Sequence, residues 1–106
     1  MDRRLTKLSP LTEASFYILL SLTSERHGYG VIKHVEALTD GRVVLAAGTL
    51  YGVITTLLRH GLIAMCEEGG TRSKKTYRIT ASGQTLLTYE TKRLEEMIAH
   101  AKENLS

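Results

Sequence analysis

The sequence lacks several residues and segments on which large classes of proteins depend. Its 106 residues include no tryptophan and a single cysteine, Cys66, which cannot form an internal disulfide. We therefore expect a protein of a reducing compartment, the cytoplasm. No apolar run approaches the roughly 20 residues that cross a bilayer, and no apolar segment follows the first four residues as in a secretory signal. These absences predict a protein without a membrane partner.

Residue patterns that carry catalysis or bind metals are also lacking. The sequence has no glycine-rich phosphate loop, nucleophile elbow or paired-carboxylate arrangement, so no enzymatic activity is expected. Four histidines are present, and none has a ligand-like spacing with a cysteine or a carboxylate: His27, His34, His60 and His100. We expect no metal and no cofactor, and we expect Cys66 to be a buried, inert thiol.

What the chain does contain is the composition of one ordinary globular domain with an uneven charge. The apolar fraction is 42% and the net charge is +3. Residues 1–80 hold eleven Lys and Arg against seven Asp and Glu, whereas residues 81–106 hold three against four. Residues 71–78 contain four bases and no acid. Such a cluster is more often solvated surface than a binding site, and only its position in the fold separates the two interpretations.

Two helices are predicted in the first half of the chain. Ser9 and Pro10 are typical of a helix start, with serine as the N-cap and proline at the first helical position. An apolar stripe follows at spacings of three and four: Ala14, Tyr17, Ile18 and Leu22. A second helix is expected over residues 29–38, with one apolar face: Ile32, Val35 and Leu38. Residues 43–45, of which Val43 and Val44 are β-branched, predict a short extra strand.

A third helix and a basic hairpin are predicted next. The helix starts near Ala46 or Ala47 and buries Leu50, Ile54 and Leu57. Its opposite side carries no acid, which would repel phosphates: Thr49, Gly52, Thr55, Thr56 and Arg59. Residues 62–67 and 74–79 read as two strands joined by a glycine-containing loop. We expect Tyr77 and Ile79 to pack while Thr76 and Arg78 face water, with Arg78 paired to Glu67 across the hairpin.

The last helix is predicted to begin after the N-cap Thr80 and to run to about residue 104. With Thr91 included, its apolar residues are spaced by four, three, four, three and four, which is an a/d pattern. The residues of this stripe are Leu87, Leu94, Ile98, Ala101 and Leu105. We expect the stripe to pair with a second subunit; the alternative is packing against its own domain.

Several blocks of sequence occur in the order and with the spacing of a known family. They are residues 11–20 (LTEASFYILL), 27–30 (HGYG), 48–51 (GTLY), 61–63 (GLI), 74–80 (KKTYRIT) and Gly83. Over residues 8–90 the chain resembles PadR-family transcriptional regulators with a short C-terminal region. The resemblance implies a mostly α (α+β) winged helix-turn-helix fold, with a DNA-binding part at 1–80 and a dimerisation helix at 81–106. It also implies a homodimeric repressor.

The sequence departs from the family pattern at the third helix. Ala46 and Ala47 stand where the family often has Ser-Pro, so the start of this helix loses a cap. Gly52 stands where proline is usual, and it lets a backbone come close. Thr55 and Thr56 occupy positions that are commonly basic. We therefore expect the helix to hold fewer phosphate anchors than is typical and the hairpin to supply more.

The resemblance and the charge pattern together define a candidate DNA site. On the third helix it comprises Thr49, Tyr51, Gly52, Thr55 and Thr56. On the hairpin it comprises Arg72, Lys74 and Lys75. Tyr51 fits a core aromatic as well as a contact residue. A two-fold dimer of this kind would read double-stranded DNA with an inverted repeat.

Two further expectations stay open. Family members often respond to small phenolic or drug-like molecules, so a small aromatic effector is expected to bind in a pocket between the last helices of two subunits. In a chain without tryptophan, that site would depend on Tyr89, Tyr17 or Phe16. The rival function is a winged-helix module for protein–protein contact without direct DNA binding, although such modules usually lack basic wings.

Overall fold

The computed structural model describes residues 2–66 and 75–106. In chain order the elements are α1 (Arg3–Thr6), α2 (Glu13–Ser21), β1 (Arg26–His27), α3 (Gly28–Leu38), α4 (Ala47–Arg59), β2 (Ile63–Cys66), β3 (Thr76–Ile79) and α5 (Ala81–Leu105). The mostly helical fold with a small sheet agrees with the predicted winged helix-turn-helix. Hairpin residues 67–74 lie outside the described residues.

Helix α2 starts three residues later than the sequence predicts. Thr12 is its N-cap, and the Thr12 hydroxyl accepts a hydrogen bond from the Ser15 amide at 3.1 Å. The prediction that Ser9 and Pro10 start the helix was wrong because the Ser9 hydroxyl donates to the Glu90 carboxylate instead, at 2.6 Å. The short helix α1, which precedes this segment, was not predicted.

Helix α3 buries a face that agrees with the predicted one in part, because Val35 is buried and Ile32 packs against the core, but Leu38 does not. Its buried residues are Gly28, Val31 and Val35, while Leu38 at the C-terminal end is half-exposed. The helix ends in a Schellman motif, in which the Gly41 amide donates to the Glu36 carbonyl at 2.8 Å. Asp40 in this turn has a left-handed backbone with φ of 52°. Leu38 is not among the residues that pack on the core.

The sheet has three antiparallel strands in the order β1-β3-β2. Ile63 lies opposite Ile79 and Met65 opposite Tyr77, so the predicted hairpin pairing is confirmed. The other edge of β3 pairs with β1, where Arg26 lies opposite Tyr77. The strand predicted at residues 43–45 was wrong: β1 occupies that edge, and the Val43 amide donates to the Thr39 hydroxyl instead.

One apolar core joins the helices to the sheet. The predicted inner face of α4 is confirmed, because Leu50, Ile54 and Leu57 are all buried. Tyr77 and Ile79 are buried as predicted, but the prediction that Thr76 faces water was wrong. The Thr76 hydroxyl lies 2.6 Å from the Glu25 carboxylate and 3.0 Å from the Cys66 carbonyl oxygen, so these two acceptors hold it inside.

The first half of α5 belongs to this same core. Thr80 caps the helix as predicted, accepting from the Gly83 amide at 3.2 Å. Gly83 is required here because a Cβ would overlap the Leu62 carbonyl oxygen and lie 2.6 Å from Ile79 Cγ1. Leu86 and Leu87 are buried one turn further on. Helix α5 is therefore packed against the sheet before it extends away from the domain.

A buried carboxylate fastens α5 to the segment before α2. Glu90 is fully buried, and its oxygens accept from the Ser9 hydroxyl at 2.6 Å and from the Leu11 amide at 2.5 Å. The Arg93 guanidinium donates to it at 2.8 Å. Burial by itself raises the pKa of Glu90, but the hydrogen bonds from Arg93, Ser9 and Leu11 outweigh it and hold the pKa below its usual value. Glu90 is thus a charged group at neutral pH.

Replacing Glu90 by glutamine should lower the free energy of unfolding by about 1–3 kcal/mol at pH 7, because the amide nitrogen cannot accept these hydrogen bonds. A carboxyl group with a lowered folded pKa stabilises the protein above its unfolded pKa, and this contribution is lost as the pH falls through the folded value. The difference from wild type should therefore shrink below about pH 4. Urea unfolding at several pH values measures it.

Glu95→Gln, on an exposed position of the same helix, is the matched control and should unfold like the wild type. An equal loss of stability for both variants, or a Glu90→Gln deficit that does not change with pH, would contradict the assigned role of the buried carboxylate.

Candidate nucleic-acid interface

The outer face of α4 is exposed and made of small side chains. Thr49, Gly52, Thr55 and Thr56 are exposed, opposite the buried Leu50 face. A Cβ added at Gly48 or Gly52 would meet nothing within 4 Å. The predicted helix residues therefore share one accessible side of α4. A surface docking there can approach the helix backbone closely.

The threonine hydroxyls of α4 are partly used within the helix. Thr55 donates to the Tyr51 carbonyl at 2.8 Å, and Thr56 donates to the Gly52 carbonyl at 3.2 Å. These bonds leave the methyl groups and the oxygen lone pairs for an incoming partner. Such a surface suits apolar contact, for example with a thymine methyl, better than donation to a phosphate.

An open groove runs between this face and the N-terminal end of α2. It has a volume of about 440 Å³, and α4 contributes Gly48, Thr49, Gly52 and Thr56 to its wall. Thr12, the N-cap of α2, and Ser15 within α2 form part of the opposite wall. Among the residues that the structure describes, none that lines the groove is acidic. The groove therefore extends the accessible surface of α4 without introducing negative charge.

Tyr51 is partly packed and partly exposed, so it fits both roles considered from the sequence, a core aromatic and a contact residue. Its side chain is 49% exposed, and its ring packs over the first turn of α3. Gly28 makes this possible, since a Cβ at that position would lie 2.6 Å from the Tyr51 hydroxyl oxygen. Tyr51 thus packs with one part of its ring and presents the rest to solvent.

Lys75 is the described part of the predicted basic hairpin site. It is exposed and directly precedes β3, and it lines a cavity of about 430 Å³ together with Tyr51. Arg72 and Lys74 lie outside the described residues, as does Glu67, the predicted partner of Arg78. Arg78 itself is exposed and lies opposite Ala64 in the sheet. The described end of the hairpin and α4 therefore border the same cavity.

The predicted dimer stripe divides into an inner and an outer part. Leu87 is only 8% exposed and packs in the core of its own chain, as the alternative interpretation proposed. Leu94 is half-buried and Ala101 is exposed. Ile98 is 54% and Leu105 is 87% exposed. The outer part of the stripe thus leaves an apolar surface that this chain alone does not cover. Met97, half-exposed beside it, was missed because it falls outside the a/d spacing.

A smaller cavity lies where α5 meets α2. Its volume is about 240 Å³, and Phe16, Tyr17 and Leu94 form its apolar walls. The rings of Phe16 and Tyr17 stand edge to face, with centroids 5.9 Å apart. Glu90 and Arg93 close one side. Tyr89, the third aromatic residue considered from the sequence, is not part of this lining.

His34 and Cys66 each lie in a defined environment within the fold. His34 Nδ1 lies 2.9 Å from the Ser21 hydroxyl, and burial together with the nearby Arg26 lowers the pKa of His34. Cys66 is a free thiol and is half-buried instead of buried. Within residues 2–66 and 75–106, no three His, Cys, Asp or Glu side chains gather as a metal site would need. No helix in these ranges is long and apolar enough to cross a membrane.

The fold and this surface define a winged helix-turn-helix protein, in which α3 and α4 form the helix pair and β2–β3 the wing. The model of the transcriptional regulator PadR-like family matches residues 18–89. The chain therefore belongs to this family and is a transcriptional regulator, not an enzyme. A comparison with curated protein sequences finds no match.

Several solved structures share this fold. A transcriptional regulator from Clostridium thermocellum is 24% identical over 87% of this chain and 92% of its own, with a TM-score of 0.76. A PadR-family regulator from Eggerthella lenta is 24% identical over 88% and 81%, with a TM-score of 0.74. Bacillus subtilis PadR, solved in complex with operator DNA, is 22% identical over 73% and 46%, with a TM-score of 0.63.

Proposed function

We propose that this chain is a homodimeric repressor that binds double-stranded DNA through α4 and the wing. The observation that carries the proposal is the outer face of α4, which is exposed, free of acidic residues and bordered by Lys75. The likeness to Bacillus subtilis PadR, whose structure contains operator DNA, supports it. The alternative, a protein–protein module, would not require a basic wing next to an acid-free helix.

In this complex α4 occupies the major groove and the wing contacts the backbone. Most of the affinity comes from phosphate contacts of Arg72, Lys74 and Lys75, while base edges set the sequence preference. Thr49, Thr55 and Thr56 offer methyl groups to the bases, and Gly52 lets the helix sit deep in the groove. Since α4 carries only one base, Arg59 at its end, the wing provides the larger share of the charge.

The homodimer forms through the outer part of α5. Ile98, Ala101 and Leu105 lie at spacings of three and four on this helix and are exposed in the single chain. Such a stripe is buried when it meets the same stripe of a second copy. The resulting two-fold axis presents two copies of α4 and predicts an operator with an inverted repeat.

Replacing Lys75 by alanine should weaken binding to all duplexes by a similar factor. It should also reduce the slope of log K against log salt concentration by about one for each protomer, because one phosphate contact is lost. Titrations of a genomic fragment from upstream of the coding region, at several salt concentrations, measure both effects.

Lys92→Ala, on the exposed surface of α5, is the matched control and should leave the slope unchanged. Equal slopes for the wild type and Lys75→Ala would contradict the wing assignment. A wild-type protein that shifts no duplex at physiological salt would favour the protein–protein alternative.

Replacing Ile98 by aspartate should dissociate the dimer. Burying a carboxylate in the apolar seam without a partner is unfavourable, so the dimer dissociation constant should rise at least about tenfold. Sedimentation over a concentration series measures this. His100→Asp, at an exposed position off the stripe, is the control and should stay dimeric. Dissociation of both variants, or of neither, would contradict the seam.

The effector part of the proposal is based on the cavity between α2 and α5. Phe16 and Tyr17 supply aromatic walls, and Leu94 connects the cavity to the dimer stripe. A small aromatic molecule bound there would contact α5 close to the seam, so it should lower operator affinity. Titration with a panel of phenolic compounds tests this. An operator affinity that stays constant across the panel would remove the effector from the proposal.

A further inference from the structure

The cavity at the first turn of α3 has a composition that the helix and wing assignments do not explain. It measures about 430 Å³ and lies between α3, α4 and the start of β3. Among the residues that the structure describes, six line this cavity, none of these six is acidic, and three are tyrosines: His27, Gly28, Tyr29, Tyr51, Lys75 and Tyr77. Several polar side chains therefore surround one cavity, and a ligand bound there would contact them.

Tyr77 is one of the residues that line this cavity, and it belongs to β3. Tyr77 is 6% exposed, and its hydroxyl forms no hydrogen bond with the residues that the structure describes. In the same part of the chain no buried side-chain oxygen or nitrogen lacks a partner. The exposed portion of Tyr77 must therefore include its hydroxyl, at the cavity wall. Burial, together with the neighbouring Tyr51, raises the pKa of Tyr77. It is thus a protonated donor at neutral pH.

A second hydroxyl is held against the same helix terminus. The Tyr51 hydroxyl lies over Gly28, where any Cβ would collide with it. Gly28 is the first residue of α3, so the hydroxyl is fixed at the N-terminal end of an eleven-residue helix. Tyr51 and Tyr77 line the same cavity from α4 and β3. Two hydroxyl-bearing side chains from different elements therefore line one cavity.

The N-terminal end of α3 adds backbone donors and positive potential. His27 is the N-cap, but its side chain forms no capping hydrogen bond; its ring nitrogen Nδ1 lies 3.3 Å from the Lys75 carbonyl oxygen. The first-turn amides thus lack a side-chain acceptor, and the helix dipole favours an anion there. Lys75 contributes a charge, and the nearby Glu25 carboxylate is bonded to Thr76 at 2.6 Å.

We propose that this cavity binds one backbone phosphate of the DNA, held by the Tyr51 and Tyr77 hydroxyls, the first-turn amides of α3 and Lys75. The proposal depends on the proposed function and adds a phosphate site next to the groove-reading helix. A duplex held by α4 and the wing brings its backbone past this point, since Tyr51 belongs to α4 and Lys75 precedes β3. It also assigns Tyr51 to the backbone and not to the bases.

The test uses a duplex that the wild-type protein selects from a random library. Each phosphate in turn is replaced by an uncharged methylphosphonate, and binding is measured for the wild type and for Tyr77→Phe. In each half-site, one replacement should weaken wild-type binding about tenfold, as expected for a charge-assisted contact. At that phosphate Tyr77→Phe should lose clearly less, because its contact is already missing. Elsewhere the two proteins should respond alike.

Tyr89→Phe is the matched control, since Tyr89 lies on α5 and outside this cavity. It should show the wild-type pattern at every phosphate. If Tyr77→Phe melts at a lower temperature than the wild type, Tyr51→Phe replaces it in the same scan with the same expected loss of coupling. Gly28→Ala, which displaces the Tyr51 ring, should abolish the response at this phosphate as well.

The possible outcomes distinguish a failure of the phosphate site from a failure of the proposed function. If no duplex is selected, the proposed function fails before the site is tested. If a duplex is selected and bound, but Tyr77→Phe and Tyr51→Phe respond to every methylphosphonate as the wild type does, the phosphate site is overturned. The same holds if inorganic phosphate binds in a Tyr77-dependent way while the duplex scan shows no such dependence, because the cavity would then hold a free anion.

Discussion

The geometry of the molecule depends on the buried carboxylate of Glu90. A buried charge is tolerated only where hydrogen bonds and an opposite charge surround it, and here the partners come from the segment before α2 and from the next turn of α5. These bonds connect α5 to the segment before α2, beyond the point where Gly83, Leu86 and Leu87 pack on the core. Glu90 therefore helps to set the direction in which the outer half of α5 leaves the core. In the proposed dimer, this direction also determines the spacing of the two α4 helices.

The sequence predicted the elements whose signals are local. The periodicity of Leu50, Ile54 and Leu57 located α4, the Thr80 cap located the start of α5, and alternation located the hairpin. The failures involve partners far away in the chain. Ser9 resembles an N-cap, but its hydroxyl bonds to a residue 81 positions later. The pairing of β1 with β3 and the burial of Thr76 likewise depend on contacts that no local pattern contains.

The candidate site was predicted to a similar extent. Periodicity was enough to place Thr49, Gly52 and Thr56 on one exposed face of α4. It could not decide the position of Tyr51, because that depends on the absence of a side chain at Gly28, in another helix. The cavity around Tyr77 was missed because it, too, is formed by residues of separate elements, among them Gly28. The available signal was the block at residues 27–30, where two glycines and no good capping residue mark the start of a helix.

The small side chains of α4 have a consequence for how affinity and sequence preference are divided. A recognition helix with lysines or arginines on its outer face keeps its backbone further from the bases, because the long side chains need space. With Gly52 and three threonines, α4 can come closer, but it gives up charge. In the proposed complex the missing phosphate contacts are supplied by the wing and by the first turn of α3. Because these anchors lie outside α4, its outer face can change its base preference without losing the contacts that provide most of the affinity.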